Sequence, residues 1–315
     1  MTYALLIGGA GFIGSHLCDT LIHKSKPVIC IDNLHLGSKK NIAHLLPHPN
    51  FKFIKCDVND LNTFDSIIAN HDIDIVYHLA ANSDIQAGAQ NIDIDFSLTL
   101  NTTLNILRIM KQHQIHQLVF ASSSAVYGSL NEPLSETTGP LLPISFYGAS
   151  KLASEGFISS YTEQFPLKAW IIRFPNVIGE RLTHGVVFDF IKKLKMNPNK
   201  LEILGNGHQT KPYIYVKDLI SGMLHFQDHA NGAHQIVNLG VSSSTSVNDI
   251  ADIIIKAMGL RNVEKVYTGG QKGWIGDVPK FQYDLTKIHS LGWTASLSSN
   301  EAITKTVAHE LNQHD

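Results

Sequence analysis

Ala4-Leu5-Leu6-Ile7-Gly8-Gly9-Ala10-Gly11-Phe12-Ile13-Gly14 stands almost at the start of the 315-residue chain and decides how the rest is read. Ala4 to Ile7 is a short apolar run with strand character, and Phe12, Ile13, Leu17, Leu21 and Ile22 follow at helical spacing. Between them Gly8, Gly11 and Gly14 stand three apart, a GxxGxxG pattern. The first glycine allows a tight strand-to-helix turn, the second lets a diphosphate approach the backbone, and the third lets helix and strand pack closely. The diphosphate would sit on the helix amino end, where backbone N–H groups lack intrahelical partners. Val28 to Ile31 then reads as a second strand ending at Asp32. A carboxylate there accepts hydrogen bonds from ribose hydroxyls and repels a 2′-phosphate, so NAD is expected rather than NADP. Glycines alone are a weak signal; strand, glycine trio, helix, strand and acid in this order are a strong one.

The alternation continues outward. Strands are expected at 51–54, 73–81, 118–122 and 167–173, with a long helix over 92–113. Repeated strand–helix units predict an α/β fold, a doubly wound parallel Rossmann sheet. Asp57 either contacts adenine or caps the helix after it. Asn101 touches either cofactor or backbone. Beyond Arg173 glycines and turns multiply, and loops with short elements are expected until a helix near Lys217-Asp218. A strand at 235–239, an amphipathic helix at 247–258 and closing helices near 285–287 and 301–311 follow. Residues 1–175 are expected to form the NAD-binding domain, joined by a returning segment near 216–240. Residues 176–315 are expected to form a smaller α+β substrate domain.

The chemistry reads from Ala121 to Lys151. The serine run Ser122-Ser123-Ser124 lies at the carboxyl end of an apolar strand, where open parallel sheets place their ligands. Tyr147 and Lys151 are four apart, one turn along one helix face. A free tyrosine holds its proton to a pH of about 10. A neighbouring ammonium favours the phenolate, so the pair can serve as a base near neutrality.

Composition narrows the classes. A formal charge of −2 gives no reason to expect a nucleic-acid partner. The 17 histidines are scattered without metal-ligand spacing, so no metal is expected. Three cysteines, Cys18, Cys30 and Cys56, argue for buried thiols rather than disulfides or zinc. No apolar run is long enough to span a bilayer, and no export signal precedes the first strand, so a cytoplasmic location is expected.

GGAGFIG at 8–14, the acid at 32, SSSAVYG at 122–128, YGASK at 147–151, RFPNVIG at 173–179 and YIYVKDL at 213–219 occur together and in order. With them the chain resembles the extended short-chain dehydrogenase/reductases, the nucleotide-sugar epimerases and dehydratases, over nearly its full length. The resemblance implies tight NAD binding, a nucleotide-sugar substrate and dimerisation through helices at roughly 92–113 and 147–163. It implies catalysis by Ser123, which holds the sugar hydroxyl, Tyr147 as base, and Lys151, which binds the nicotinamide ribose and tunes Tyr147. The cofactor set it implies is Gly8, Gly11, Phe12, Ile13, Gly14, Asp32, Asn33, Asp57, Val58, Leu79, Ala80, Ala81, Asn101, Ser122, Tyr147, Lys151 and Pro175. For the substrate it implies Asn82, Ser123, Ser124, Tyr147, Asn176, Val186, Val187, Lys211, Tyr213, Trp274, Asp277 and Phe281.

Two departures from the family pattern concern the substrate diphosphate. Lys211 stands where an arginine is usual, and keeps the charge without the bidentate fork. Trp274 stands where a second arginine is usual; His184 and His208 are possible replacements. Phe281 aligns with a position that gates the sugar pocket, and its bulk favours plain hexoses over N-acetylated ones.

The implied reaction is C4 epimerisation through a transient 4-keto sugar, with UDP-glucose and UDP-galactose as the first pair to consider. The related 4,6-dehydratases carry an Asp-Glu pair where this chain has Ser124 and Ala125, which disfavours that outcome. Alternatives are another nucleotide-sugar, such as a UDP-uronate or a GDP- or CDP-linked deoxysugar, and a non-catalytic NAD-binding regulator on the same fold.

Overall fold

The computed structural model describes residues 1–130, 133–270, 273 and 278–312. The chain divides into two compact units. The first comprises Met1–Gly128, Gly139–Arg173 and Met223–Val237; the second comprises Ser129–Thr138, Phe174–Gly222 and Asn238–Asp315.

The first unit is built on a seven-stranded parallel sheet. Its strands include β1 (Tyr3–Ile7), β2 (Val28–Asp32), β3 (Phe51–Lys55), β4 (Ile73–His78) and β5 (Gln117–Ser123). In space the order is His234–Asn238, Lys168–Phe174, β5, β4, β1, β2, β3. Chain order reverses between β1 and β4, and such a switch point leaves a crevice at the strands' carboxyl ends. β1 and β2 are almost wholly buried, consistent with a sheet covered on both faces. Leu5, Ile7, Ile29, Ile31, Phe64, Leu107, Leu118, Phe120 and Ile171 belong to one continuous core.

The long helix expected over 92–113 runs from Ile92 to Gln112, with a wider π turn at Phe96–Asn101. Asp57 is not the cap of the helix Leu61–Ala69. That role falls to Asp60, whose carboxylate accepts from the Thr63 amide at 3.2 Å. The cap must lie three residues before the N3 amide it serves, a distance Asp57 does not match. All three cysteines are buried thiols outside any disulfide. No helix among the described residues is long and apolar enough to cross a membrane.

In the second unit Asn176–Ile178 pairs in parallel with Tyr213–Tyr215, and Lys200–Ile203 with Glu264–Tyr267. The stretch after Gly185, expected as loop, is an eleven-residue helix, Val186–Met196. Val187, Phe190, Ile191 and Leu194 are its buried residues, and their 0, 3, 4, 7 spacing is the helical signal that the neighbouring glycines masked. Helix Val247–Ala257 starts with a reciprocal cap between Ser246 and Asp249. Asp218 accepts from the Ser296 and Leu297 amides at 3.1 Å each, which ties the chain before the last helix, Ser299–Asn312, to the helix Val216–His229.

Candidate active site

The glycine turn follows from β1 and β4 being neighbours. Ile7 is paired with His78, and the Leu79 amide donates to the Ile7 carbonyl at 2.9 Å. The next residues therefore meet almost in contact. Gly8 has φ +82°, and a Cβ on it would lie 2.7 Å from the Ala80 nitrogen. A Cβ on Gly14 would lie 2.2 Å from the Gly8 carbonyl oxygen. Glycine is required at both, for conformation at the first and for space at both.

Helix α1 (Phe12–His23) starts at Gly11, which has no side chain to cap it. Its first amides therefore remain available to a diphosphate. Asp32 is 7% exposed, and its two carboxylate oxygens accept from Ala10 at 3.0 Å and Leu34 at 2.8 Å. Each oxygen keeps a second lone pair for a ribose hydroxyl. Burial raises the Asp32 pKa, against the two amides that lower it. Asn33 donates to Asp57 at 3.0 Å, and Asn101 donates to the Asn59 side chain at 2.9 Å. The Val58 carbonyl accepts from Asn105 at 3.3 Å. The uncapped helix end, the glycine cradle and the buried acid fit NAD.

The helix Phe146–Gln164 faces the end of β5. Its residues 147, 151 and 155 recur at four-residue spacing, so they form one stripe. The stripe meets three successive residues of the strand. Tyr147 hydrogen-bonds to the Ser123 hydroxyl. Lys151 donates to the Ala121 carbonyl at 2.6 Å. Glu155 accepts from the Ser122 hydroxyl. Ser123 also takes the Ala125 amide at 3.2 Å, the cap of a single 3-10 turn, Ser124–Tyr127. Beneath the stripe Arg173 is 3% exposed and clamps Glu155 with two bonds, at 3.0 and 2.6 Å. Its remaining reach goes to the Tyr127 hydroxyl at 2.9 Å.

Burial governs the proton affinities of the pair. Lys151 is 2% exposed, and its ammonium lies 4.7 Å from the Phe120 ring centroid and 5.9 Å from that of Tyr147. Burial draws its pKa down to about 7, against the opposing charges of Glu155 and Asp95. Loss of solvent around the Tyr147 phenol pushes its pKa up to about 12, which its Ser123 bond lowers and Asp95 raises. In the protein alone, loss of solvent therefore outweighs the lysine and favours the protonated phenol. His78, fully buried on β4, is held neutral by burial and then by Lys151.

This has a consequence for stability in the NAD-free protein. Between about pH 7 and the unfolded lysine value of about 10.4 the unfolded chain binds more protons at Lys151 than the folded one, so stability rises with pH. Above pH 10 an unfolded tyrosine ionises while Tyr147 does not, and stability falls again. Urea midpoints from pH 7 to 9.5 should therefore climb in the wild type and climb less in Lys151→Met. Equal slopes would refute the lowered lysine.

The second unit carries the remaining candidates. Asn176 is exposed and pairs with the buried Tyr213. Pro175 and Val187 are buried, and Val186 is half-buried at the amino end of its helix. Lys211 is half-buried, two residues before Tyr213. His184 and His208 are exposed. Phe281 is 8% exposed and meets the Tyr283 ring edge-on at 5.5 Å. Trp274 and Asp277 lie outside the described residues. Sequence reasoning assigned no role to Glu155 and Arg173; the available signal was an acid one turn beyond Lys151 on the same helix face.

A Rossmann sheet with a glycine cradle, an acid closing β2 and a Tyr-x-x-x-Lys helix against a serine-bearing strand end defines the extended short-chain dehydrogenase/reductase class. The model of the NAD dependent epimerase/dehydratase family matches residues 4–240, and the chain belongs to that family. NAD is the family's cofactor. A Methanocaldococcus jannaschii protein provisionally called a UDP-glucose 4-epimerase is 36% identical over 308 residues, 96% of each chain. The crystal structure of a Thermotoga maritima UDP-glucose 4-epimerase with UDP-glucose is 29% identical, covers 100% of both chains and has a TM-score of 0.89. That of a Thermus thermophilus UDP-glucose 4-epimerase with NAD is 28% identical over 98% of each chain, with a TM-score of 0.86.

Proposed function

We propose that the protein is an NAD-dependent nucleotide-sugar 4-epimerase, with UDP-glucose and UDP-galactose as its substrate pair. The observation that carries this reading is the Ser123–Tyr147–Lys151 arrangement with no acid beside it at Ser124 or Ala125. The first unit then holds the dinucleotide and the second the nucleotide-sugar.

NAD, held by the glycine turn and Asp32, would supply reversible hydride chemistry and the positive charge of its oxidised ring. The protein's own part is proton handling and orientation. Ser123 holds the hydroxyl at C4. Tyr147 takes that hydroxyl's proton as the carbonyl forms, and gives it back to the oxygen after the ring has turned over. Lys151, fixed by the Ala121 carbonyl, orients the ribose and stabilises the phenolate. Going on to a 4,6-dehydratase would require a further base for C5 and an acid for the C6 hydroxyl. Neither Ser124 nor Ala125 can supply them at neutral pH. Asn176, Lys211 and Tyr213 are the candidate nucleotide contacts of the second unit.

The test is proton NMR of the purified protein with UDP-glucose and no added NAD. A galacto anomeric signal growing to an equilibrium mixture is expected. A 4-keto-6-deoxy signal would mean a dehydratase. No change even with NAD added would exclude this substrate pair and direct the search to other nucleotide-sugars.

A further inference from the structure

Asp95 is a carboxylate that none of the steps above uses. It is 1% exposed. One oxygen accepts from the Asn82 side chain at 2.9 Å. The other, Oδ2, is buried with no hydrogen-bond partner among the described residues. A buried carboxylate left half-satisfied is costly and calls for an explanation. Space for Oδ2 is kept open by a glycine: a Cβ on Gly88 would lie 2.0 Å from it.

The surroundings point to Lys151 and Tyr147. Asp95 ends the helical turn Ile92–Asp95, which with the π turn after it packs against the Phe146–Gln164 helix. Thr99 takes the Asn82 amide at 3.1 Å, and the Thr103 hydroxyl meets that of Ser154 at 3.1 Å and the His78 ring at 2.9 Å. The charges facing the pair can be counted. On its own helix stands Glu155, which binds Arg173 of the neighbouring strand with both oxygens and raises the proton affinity of Lys151 but is not among the charges acting on Tyr147. From β4 comes His78, which is neutral. From the 82–95 stretch come Asp95 and, acting on Asp95, Asp84. Among these groups only Asp95 acts on both Lys151 and Tyr147. Burial raises its own pKa, against the Asn82 bond and the Lys151 charge, which lower it.

We propose that Asp95 is a positioning residue of the catalytic pair: its buried carboxylate is a counter-charge that raises the proton affinity of both Lys151 and Tyr147. The proposal rests on the reading of Tyr147 as base. Its chemistry is one of charge alone. Removing a negative charge lowers the proton affinity of every neighbouring site, so both titrations of the coupled pair move to lower pH.

Asp95→Asn tests it in two ways. In the loaded enzyme, both limbs of the kcat profile should move to lower pH by about one unit. In the NAD-free protein, the pH at which urea stability begins to rise should fall by a similar amount. That difference should vanish in a Lys151→Met background, which a merely structural role would not produce. Gly88→Ala, whose methyl group displaces Oδ2, should shift both readouts in the same direction, and it serves if Asp95→Asn does not fold. Unchanged profiles in either folded variant, or a stability difference that survives Lys151→Met, would overturn the proposal. The stability readout needs no substrate, so it separates a failure here from an incorrect substrate or reaction.

Discussion

Tyr147→Phe should lower kcat by about a thousandfold, within the range that a positioned acid–base group contributes, while the purified protein still carries its NAD. The reason lies in how little else at this strand end can move a proton. Ser123 is an alcohol, Lys151 is committed to the Ala121 carbonyl, and His78 is buried, neutral and bonded to Thr103. The substitution removes one oxygen and leaves the ring, so the helix stripe and the nicotinamide-side packing should persist. KM for the nucleotide-sugar should change far less than kcat, because the nucleotide contacts are proposed for the second unit. NAD content is read from the absorbance of the denatured protein. A variant that keeps full turnover would remove Tyr147 from the mechanism. One that loses turnover together with its NAD would mean the residue serves binding first. A non-catalytic regulator would keep its output after the change, so the same variant separates the two functional classes.

The resting state of Tyr147 adds a condition. Its phenol stands at about 12 in the protein alone, so the base is switched off without a further positive charge. Sequence spacing placed the lysine correctly on the same face but could not weigh desolvation against Coulomb attraction. That balance depends on which side chains close over the amine, here Phe120 and the stripe itself. The same limit explains other differences. The parallel sheet was legible because its strands are apolar runs and the turn after β1 requires glycine at Gly8 and Gly14. The helix Val186–Met196 was hidden because the glycine before it and the polar stretch after it read as loop. Asp95 and Arg173 were invisible as functional candidates. A lone acid in a helix and an arginine in a strand normally face water, and only three-dimensional packing shows both buried. Trp274 and Asp277, expected as substrate residues, lie outside the described residues.

The second large effect concerns Glu155. Glu155→Ala should destabilise the protein by about 3–5 kcal/mol, the cost of leaving one member of a buried ion pair unpaired. Arg173 would keep its charge at 3% exposure with only the Tyr127 hydroxyl to meet it, and Ser122 would lose its acceptor. Removing both charges separates pairing from burial. The double variant Glu155→Met, Arg173→Met should recover much of the loss, since apolar residues of similar volume replace buried pairs at little cost. Recovery should be incomplete, because the Ser122 hydroxyl remains buried without its Glu155 acceptor, at about 1–3 kcal/mol for a group left unsatisfied. Denaturant midpoints of the two single variants and the double one give the coupling directly. A double variant no more stable than Glu155→Ala would mean that the pair is not the unit of stability. Activity should divide differently. Glu155 is one of the two carboxylates that hold up the proton affinity of Lys151, so the double variant should fold yet carry a weaker ammonium beside Tyr147. It should be slow near neutral pH even where its stability is restored, because the three-residue stripe that anchors the strand end also sets the charge of the residue at its centre.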